Sequence, residues 1–365
     1  MHVLPGRDRS AGIPRKVRSA SRFLLLLIAL TLPLAAQRYS ARQITTEGVP
    51  VIQLADQQRN TVVSIAPSVG NNAYEMKVNG KNVFYFPFNS VAEFAAKPRF
   101  CGNPFLAPWA NRIDEDGFYA NGKYRKFDLT LGNVNLDGNK QPIHGMLRYA
   151  AWEVVSVEAN GNEARSISRL DFGKQEKLLA QFPFPHTIEM SYILRDGNLE
   201  VKTRITNNGS EAMPVGIGYH PYFQIHDAPR ERWQVRIDAA SQWLLSEKLV
   251  PTGEKQPIRE VFADPRNIEL GEILLDHVFG DLVRDETGGA HFTVKGERET
   301  IDVVYGPNYK ASVIYAPRQP YICFEPMSGI TNAFNLAHRG VYKDLQTVAP
   351  GGQWEASFQV RPSGF

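Results

Sequence analysis

Cysteine is nearly absent from this sequence: two residues, Cys101 and Cys323, in 365. Two thiols so far apart exclude a disulfide scaffold and a cysteine-rich metal site, and leave a single Cys101–Cys323 bond for geometry to decide. Long apolar runs are also missing. The longest, Phe23-Leu24-Leu25-Leu26-Leu27-Ile28-Ala29-Leu30, falls short of the ~20 residues that a spanning helix needs. No segment keeps a long apolar stripe at helical spacing, so long amphipathic helices are not expected. Basic clusters are confined to the start: the first 36 residues hold six of the 41 Lys/Arg and one of the 38 Asp/Glu, leaving 35 basic and 37 acidic residues and a net charge near −2. That balance argues against nucleic acid or an anionic membrane surface as partner. There is no Gly-x-Ser-x-Gly elbow, no phosphate-cradling Gly-rich loop and no His-Glu-x-x-His. The seven histidines after residue 36 stand singly, so a zinc site has no support and no metal is expected.

What is present begins with a targeting pattern. Arg15, Lys16, Arg18 and Arg22 precede the apolar run, and Pro33-Leu34-Ala35-Ala36 follows it with small residues. This order reads as a secretory signal peptide over residues 1–36, cleaved after Ala36, and implies export to a periplasmic or extracellular space. An uncleaved N-terminal anchor is the alternative. From residue 44 the chain reads as short strands and tight turns. Asn79-Gly80, Asn121-Gly122 and Asp196-Gly197 each separate strand-like runs, as expected of hairpins whose turns need positive φ. Leu199, Val201, Thr203 and Ile205 alternate with Glu200, Lys202, Arg204 and Thr206, which buries one face and wets the other. With 24 Pro and 29 Gly, no repeat and no composition break, residues 37–365 are expected to form one all-β domain, a large antiparallel β-sandwich.

One stretch conflicts with that apolar grammar: Tyr321-Ile322-Cys323-Phe324-Glu325-Pro326 puts a carboxylate where desolvation is most costly. Glu325 is either one half of a buried ion pair, a strand-end residue facing solvent, or a general base tuned toward neutrality. Cys323, two residues earlier on an extended strand, faces the same side, so its oxidation would disturb such a base. Four more stretches carry candidates. Trp109-Ala110-Asn111-Arg112-Ile113 places an arginine before a hairpin, where a turn role is equally open. Ile143-His144-Gly145 offers a histidine that could equally bond its own turn. His220, in Tyr219-His220-Pro221-Tyr222-Phe223, reads as a core histidine or a catalytic one. Asp276, in Leu275-Asp276-His277-Val278-Phe279, reads as a ligand contact or a turn cap. Trp109, Tyr222, Phe223 and Phe279 could be core or a platform for the apolar face of a sugar ring.

Taken in order, Ala110-Asn111-Arg112-Ile113, Ile143-His144-Gly145, His220-Pro221-Tyr222-Phe223, Leu275-Asp276-His277 and Phe324-Glu325-Pro326 resemble the aldose 1-epimerase (galactose mutarotase) family over roughly residues 45–360. The resemblance implies the family's β-supersandwich, with a sugar site in a cleft on one sheet. By motif it implies Glu325 as general base and a protonated His220 as general acid. Arg112, His144 and Asp276 would bind and orient the sugar, with Asn111, Trp109 and Tyr222 as further contacts. The chain departs from the pattern at Ile143, at Gln224 after Phe223, and at Asn332. The implied reaction interconverts the α and β anomers of a free hexose such as glucose or galactose. Alternatives are a hexose-6-phosphate 1-epimerase, with Lys97 and Arg99 as the candidate phosphate pair, and a non-catalytic sugar-binding sandwich. No cofactor is implied; the expected partner is a small-molecule sugar, and the expected state a monomer or weak homodimer.

Overall fold

In the computed structural model, which describes residues 37–365, each of the three turn dipeptides closes a hairpin. Asn72–Val78 pairs with Lys81–Asn82, Gly117–Ala120 with Lys123–Lys126, and His186–Arg195 with Asn198–Asn207. Asn79, Asn121 and Asp196 lie at φ 50, 52 and 52°, and the glycines after them at 84, 73 and 76°. Positive φ at both central positions is the condition for a type I′ turn, whose twist matches that of the flanking strands. The expected signal peptide, residues 1–36, lies outside the described residues.

About 48% of the described residues are in strands and 9% in helices, and no described helix exceeds six residues, so the fold is all-β as the patterning predicts. One nine-stranded sheet contains Asn198–Asn207, flanked by His186–Arg195 and Gln353–Ser363. Along Asn198–Asn207, Leu199, Val201, Thr203 and Ile205 are buried and the residues between them are not. A second sheet carries the site. Its strands are Phe105–Leu106 (β1), Gly218–Tyr219 (β2), Tyr222–Phe223 (β3), Ala239–Leu245 (β4), Pro251–Pro257 (β5), Leu275–Leu282 (β6), Ala311–Ala316 (β7) and Ile322–Met327 (β8). They run in the order β5-β4-β6-β7-β8-β2-β1, with β3 also paired to β8, and every ladder is antiparallel.

The two sheets pack face to face. Phe324 of β8 meets Phe292 of the nine-stranded sheet at 6.2 Å between rings, and Tyr219 of β2 meets Phe358 at 5.0 Å. Full burial of a side chain such as Phe324 contributes about 1.5–3 kcal/mol. Because neighbouring side chains on a strand point to opposite faces, sending Phe324 inward sends Cys323, Glu325 and Met327 outward. Direct register partners share a face, so Val313 and Tyr315 of β7 join them, and so do Val278 and Asp276 of β6. One part of this outer face is sealed by a second apolar cluster that includes Met327, Val313, Val278 and Trp243. The rest of it holds the site.

His186 opens its strand, as the sequence predicts, and is fully buried against the ring of Phe172 at 4.3 Å. Its Nδ1–H donates to the Phe184 carbonyl at 2.6 Å, and burial pushes its pKa down to about 4. An unfolded histidine titrates near 6.5, so between these values the folded chain binds fewer protons than the unfolded one. The contribution is fully present above about pH 6.5 and lost as pH falls through 4, amounting to about 3 kcal/mol. Urea unfolding at pH 7.5 and 4.5 checks this: His186→Gln is expected to lose clearly less stability over that interval than the wild type.

Candidate active site

The sheet register assembles the centre of the site. Gly218 of β2 pairs with Met327, and Tyr222 of β3 pairs with Cys323, both on β8. Midway between these pairs, His220 falls opposite Glu325. Tyr219 points into the core, where its hydroxyl meets that of Thr203 at 2.5 Å, so His220 turns to the outer face. The His220 N–H donates to the Pro104 carbonyl at 3.0 Å. As a result, His220 Nε2 lies 3.3 Å from Glu325 Oε1, with side-chain exposures of only 8% and 1%. Glu325 Oε2, His220 Nδ1 and His144 Nδ1 are buried with no hydrogen-bond partner among the described residues. Buried polar atoms left unpaired are costly, so three at one place mark a centre arranged for something that binds there.

Arg112 enters from the loop before the Gly117–Lys126 hairpin. Asn111, at φ 53°, turns back so that its Oδ1 accepts from the Arg112 backbone N–H at 2.9 Å and from Nη1 at 3.2 Å. Arg112 Nε donates to Asp137 Oδ2 at 2.8 Å, and Nη2 reaches toward Asp276 Oδ2 at 3.8 Å. Asp137 is itself fixed, accepting from the backbone N–H groups of Asn139 and Gln141. Although burial opposes it, the Gln141 N–H and the Arg112 guanidinium hold the Asp137 carboxyl below its usual range. Asn332, at the departure from the family pattern, donates its backbone N–H to the Arg112 carbonyl at 3.0 Å. His144 sits at φ 61° with its N–H on the Asn111 carbonyl at 2.9 Å. The next residue must be glycine: a Cβ on Gly145 would lie 2.1 Å from the Ala107 carbonyl oxygen.

Aromatic rings close the walls. Tyr222 stacks on the His220 imidazole at 4.7 Å, and Phe100 touches both His144 and His220 at 5.2 and 5.3 Å. Tyr321 leans on Tyr222 at 5.0 Å, and Tyr315 approaches His220 at 6.2 Å. Four of the residues singled out from sequence play other parts. Trp109 packs on Phe127 at 4.8 Å within the main core and offers no sugar platform. Phe223 and Phe279 are likewise buried in that core, and Asn111 is a support behind Arg112, buried at its back. Asp276 caps no turn but lies in β6, with its side chain 36% exposed at the mouth of the site.

The charges at the centre follow from dryness. Burial, reinforced by Asp276 and opposed by Arg112, pushes the Glu325 carboxyl well above its ordinary value. Burial pushes His220 down to about 3, and the Arg112 charge adds to the effect. Both directions favour a neutral carboxyl and a neutral imidazole over a buried ion pair. At 3.3 Å the two groups are close enough for one proton to pass between them. Burial also drives the His144 pKa well down, with His220 and Arg112 adding. Cys101 and Cys323 are free thiols. Cys323 is fully buried and its pKa is driven well up by burial, then by Glu325, so it is a poor target for the oxidation considered from sequence.

Phe100, Asp137, Tyr315 and Tyr321 were not singled out from sequence. Only the proximity of Tyr321 to Glu325 in the chain was a usable signal; an acid in a turn such as Asp137 looks like any solvated turn residue.

The chain belongs to the aldose 1-epimerase family, a family of carbohydrate isomerases, whose profile matches residues 50–361. It is 28% identical to the galactose mutarotase of Homo sapiens over 199 residues, 52% of this chain and 51% of that protein. It is 26% identical to the uncharacterized protein YihR of Escherichia coli over 152 residues, 40% of this chain and 44% of that protein. The chain thus spans about half the length of the curated relatives it matches. Among solved structures, a galactose mutarotase-like protein from Clostridium acetobutylicum superposes with TM-score 0.80 at 22% identity, covering 90% of this chain and 99% of that one. A galactose 1-epimerase from Lactobacillus acidophilus gives 0.71 at 14% identity, covering 90% and 100%. At these identities the likeness is one of fold.

Proposed function

We propose that the protein is a mutarotase that interconverts the α and β anomers of a free hexose such as glucose or galactose, exported and acting as a monomer or weak homodimer. The observation that carries this reading is the pair Glu325 and His220, facing at 3.3 Å and almost wholly buried. Ring opening needs a base that takes the proton from the C1 hydroxyl and an acid that delivers one to the ring oxygen. As the C1–O5 bond breaks, C1 becomes the carbonyl carbon of the open aldehyde. Rotation about C1–C2 and closure on the other face, with the two groups reversing roles, gives the second anomer. Glu325 is the base and His220 the acid, once the sugar hydroxyls draw the shared proton onto the imidazole. Arg112 favours developing negative charge on oxygen, while Asp276 and His144 hold hydroxyls so that the reacting atoms stay in reach. The phosphosugar alternative has weaker support, since Arg99 lies over the Phe88 ring at 4.9 Å.

Polarimetry of freshly dissolved α-D-glucose and α-D-galactose tests the reading. Acceleration of the approach to anomeric equilibrium by purified protein is expected; its absence on every free hexose would overturn the proposal. A second expectation concerns Asp137, which acts through Arg112. Asp137→Asn removes the charged acceptor from Nε and should lower kcat/KM by about 10–100-fold through misplacement of the guanidinium. The melting temperature should stay near that of the wild type, and Asp137→Glu should recover part of the loss. Unchanged kinetics would remove Asp137 from the account.

A further inference from the structure

A cleft of about 730 Å³ opens beside the site, where β4 ends, β6 begins and the chain turns from β7 toward β8. Its lining shares Asp276 and Tyr315 with the site and continues into Leu244, Leu249, Leu274 and Gln319. Pockets of about 300–1,000 Å³ hold drug-sized ligands. This cleft therefore offers room beyond one hexose, and it does not include Glu325 or His220.

Two features far apart in sequence build its walls. Arg230, only 5% exposed, spends its guanidinium on backbone: Nε donates to the Pro317 carbonyl at 2.6 Å, Nη1 to that of Gly271 at 2.6 Å, and Nη2 to those of Ile273 and Ala316. This pins the two loops that form one side of the cleft. On the other side, Leu249 occupies φ 57° in the turn between β4 and β5. The Leu249 N–H donates to the Ser246 carbonyl at 2.8 Å and the Ser246 N–H to that of Val250 at 2.9 Å. Three-residue hairpin loops of this kind ordinarily take glycine at the left-handed position, and a leucine there is strained. Strain that persists at a cleft wall points to a use for the side chain.

We propose that the cleft is a second sugar subsite, and that the favoured substrate is a reducing disaccharide or longer oligosaccharide. The inference rests on the mutarotase reading only for the orientation of the sugar. That reaction holds C1 and the ring oxygen at Glu325 and His220, so a larger substrate must extend from a hydroxyl at the far end of the reducing ring. Asp276 stands between the Glu325–His220 pair and the cleft, two strands from β8, or ~10 Å at the usual strand spacing. A ring joined there enters the cleft. Leu244, Leu249 and Leu274 suit the C–H face of a pyranose, and Asp276 and Gln319 suit its hydroxyl edge. No bond is made or broken in this subsite.

Ligand-observed NMR titrations of glucose, galactose, maltose, cellobiose, lactose and melibiose, run beside polarimetry, test the idea. At least one disaccharide is expected to bind tighter than its own reducing monosaccharide by about tenfold or more. Leu249→Gly, which relaxes the turn while withdrawing the side chain, and Leu274→Lys, at the exposed mouth, should each move that ratio toward unity. Disaccharides that bind no tighter than glucose, or a ratio that survives both variants, would overturn the subsite. A disaccharide preference without any acceleration of mutarotation would keep the subsite and overturn the catalytic reading instead.

Discussion

Glu325→Gln is expected to lower kcat for mutarotation by about 10²–10⁴-fold, the span associated with a positioned general base, and at the same time to raise the melting temperature. Both effects come from burial. Glutamine keeps the size and the hydrogen bonding but cannot take the C1 proton. The carboxyl, whose folded pKa lies well above its ordinary value, holds its proton in the folded chain after the unfolded chain has released it. Stability therefore falls as pH rises from the unfolded carboxyl value through the raised folded one. Glutamine does not titrate, so the advantage of the variant should be small at pH 5 and larger at pH 8. Polarimetry and thermal unfolding at the two pH values measure both parts. Retained turnover would remove Glu325 from the chemistry, and a melting temperature lowered at pH 8 would contradict the account of its burial.

His220→Gln should cost a similar factor, about 10²–10⁴ in kcat, because the amide can still meet Glu325 but cannot carry the proton to the ring oxygen. The sharper outcome is the pH profile of the wild type. The competent pair holds one proton. A second is taken up only as pH falls toward about 3, the lowered value of His220. The single proton is lost as pH rises through the raised value of Glu325. The profile of kcat/KM should therefore be a bell with an acid limb well below the ordinary imidazole range and a basic limb above the ordinary carboxyl range. The limbs belong to the pair rather than to either residue. An acid limb near 6.5 would show that His220 is not desolvated in the working enzyme.

These expectations separate what the chain order carries from what folding adds. The identities of Glu325, His220, His144, Arg112 and Asp276 stood in the sequence, and the structure brings all five together. Their chemical state did not. Whether a histidine beside tyrosines is charged depends on how much water reaches it, and that is decided by Phe100, Pro104 and Tyr315, each remote from His220 in the chain. Trp109 shows the same limit from the other side. An indole near a polar motif has the composition of a sugar platform, and only its packing against Phe127 identifies it as core. Asp137 was invisible for a third reason, since its role is a hydrogen bond to a residue 25 positions earlier.

By itself the sequence determined the local grammar: period-two burial, type I′ turns at Asn-Gly and Asp-Gly, and the scarcity of helix. Each of these depends on φ preferences or side-chain alternation within a few residues. The tertiary structure alone decided the strand order β5-β4-β6-β7-β8-β2-β1, the register that sets His220 opposite Glu325, and the walls of the cleft beside Asp276. Those rest on contacts between segments up to 114 residues apart, whose stabilisation comes from shared burial and leaves no periodic trace in any one segment.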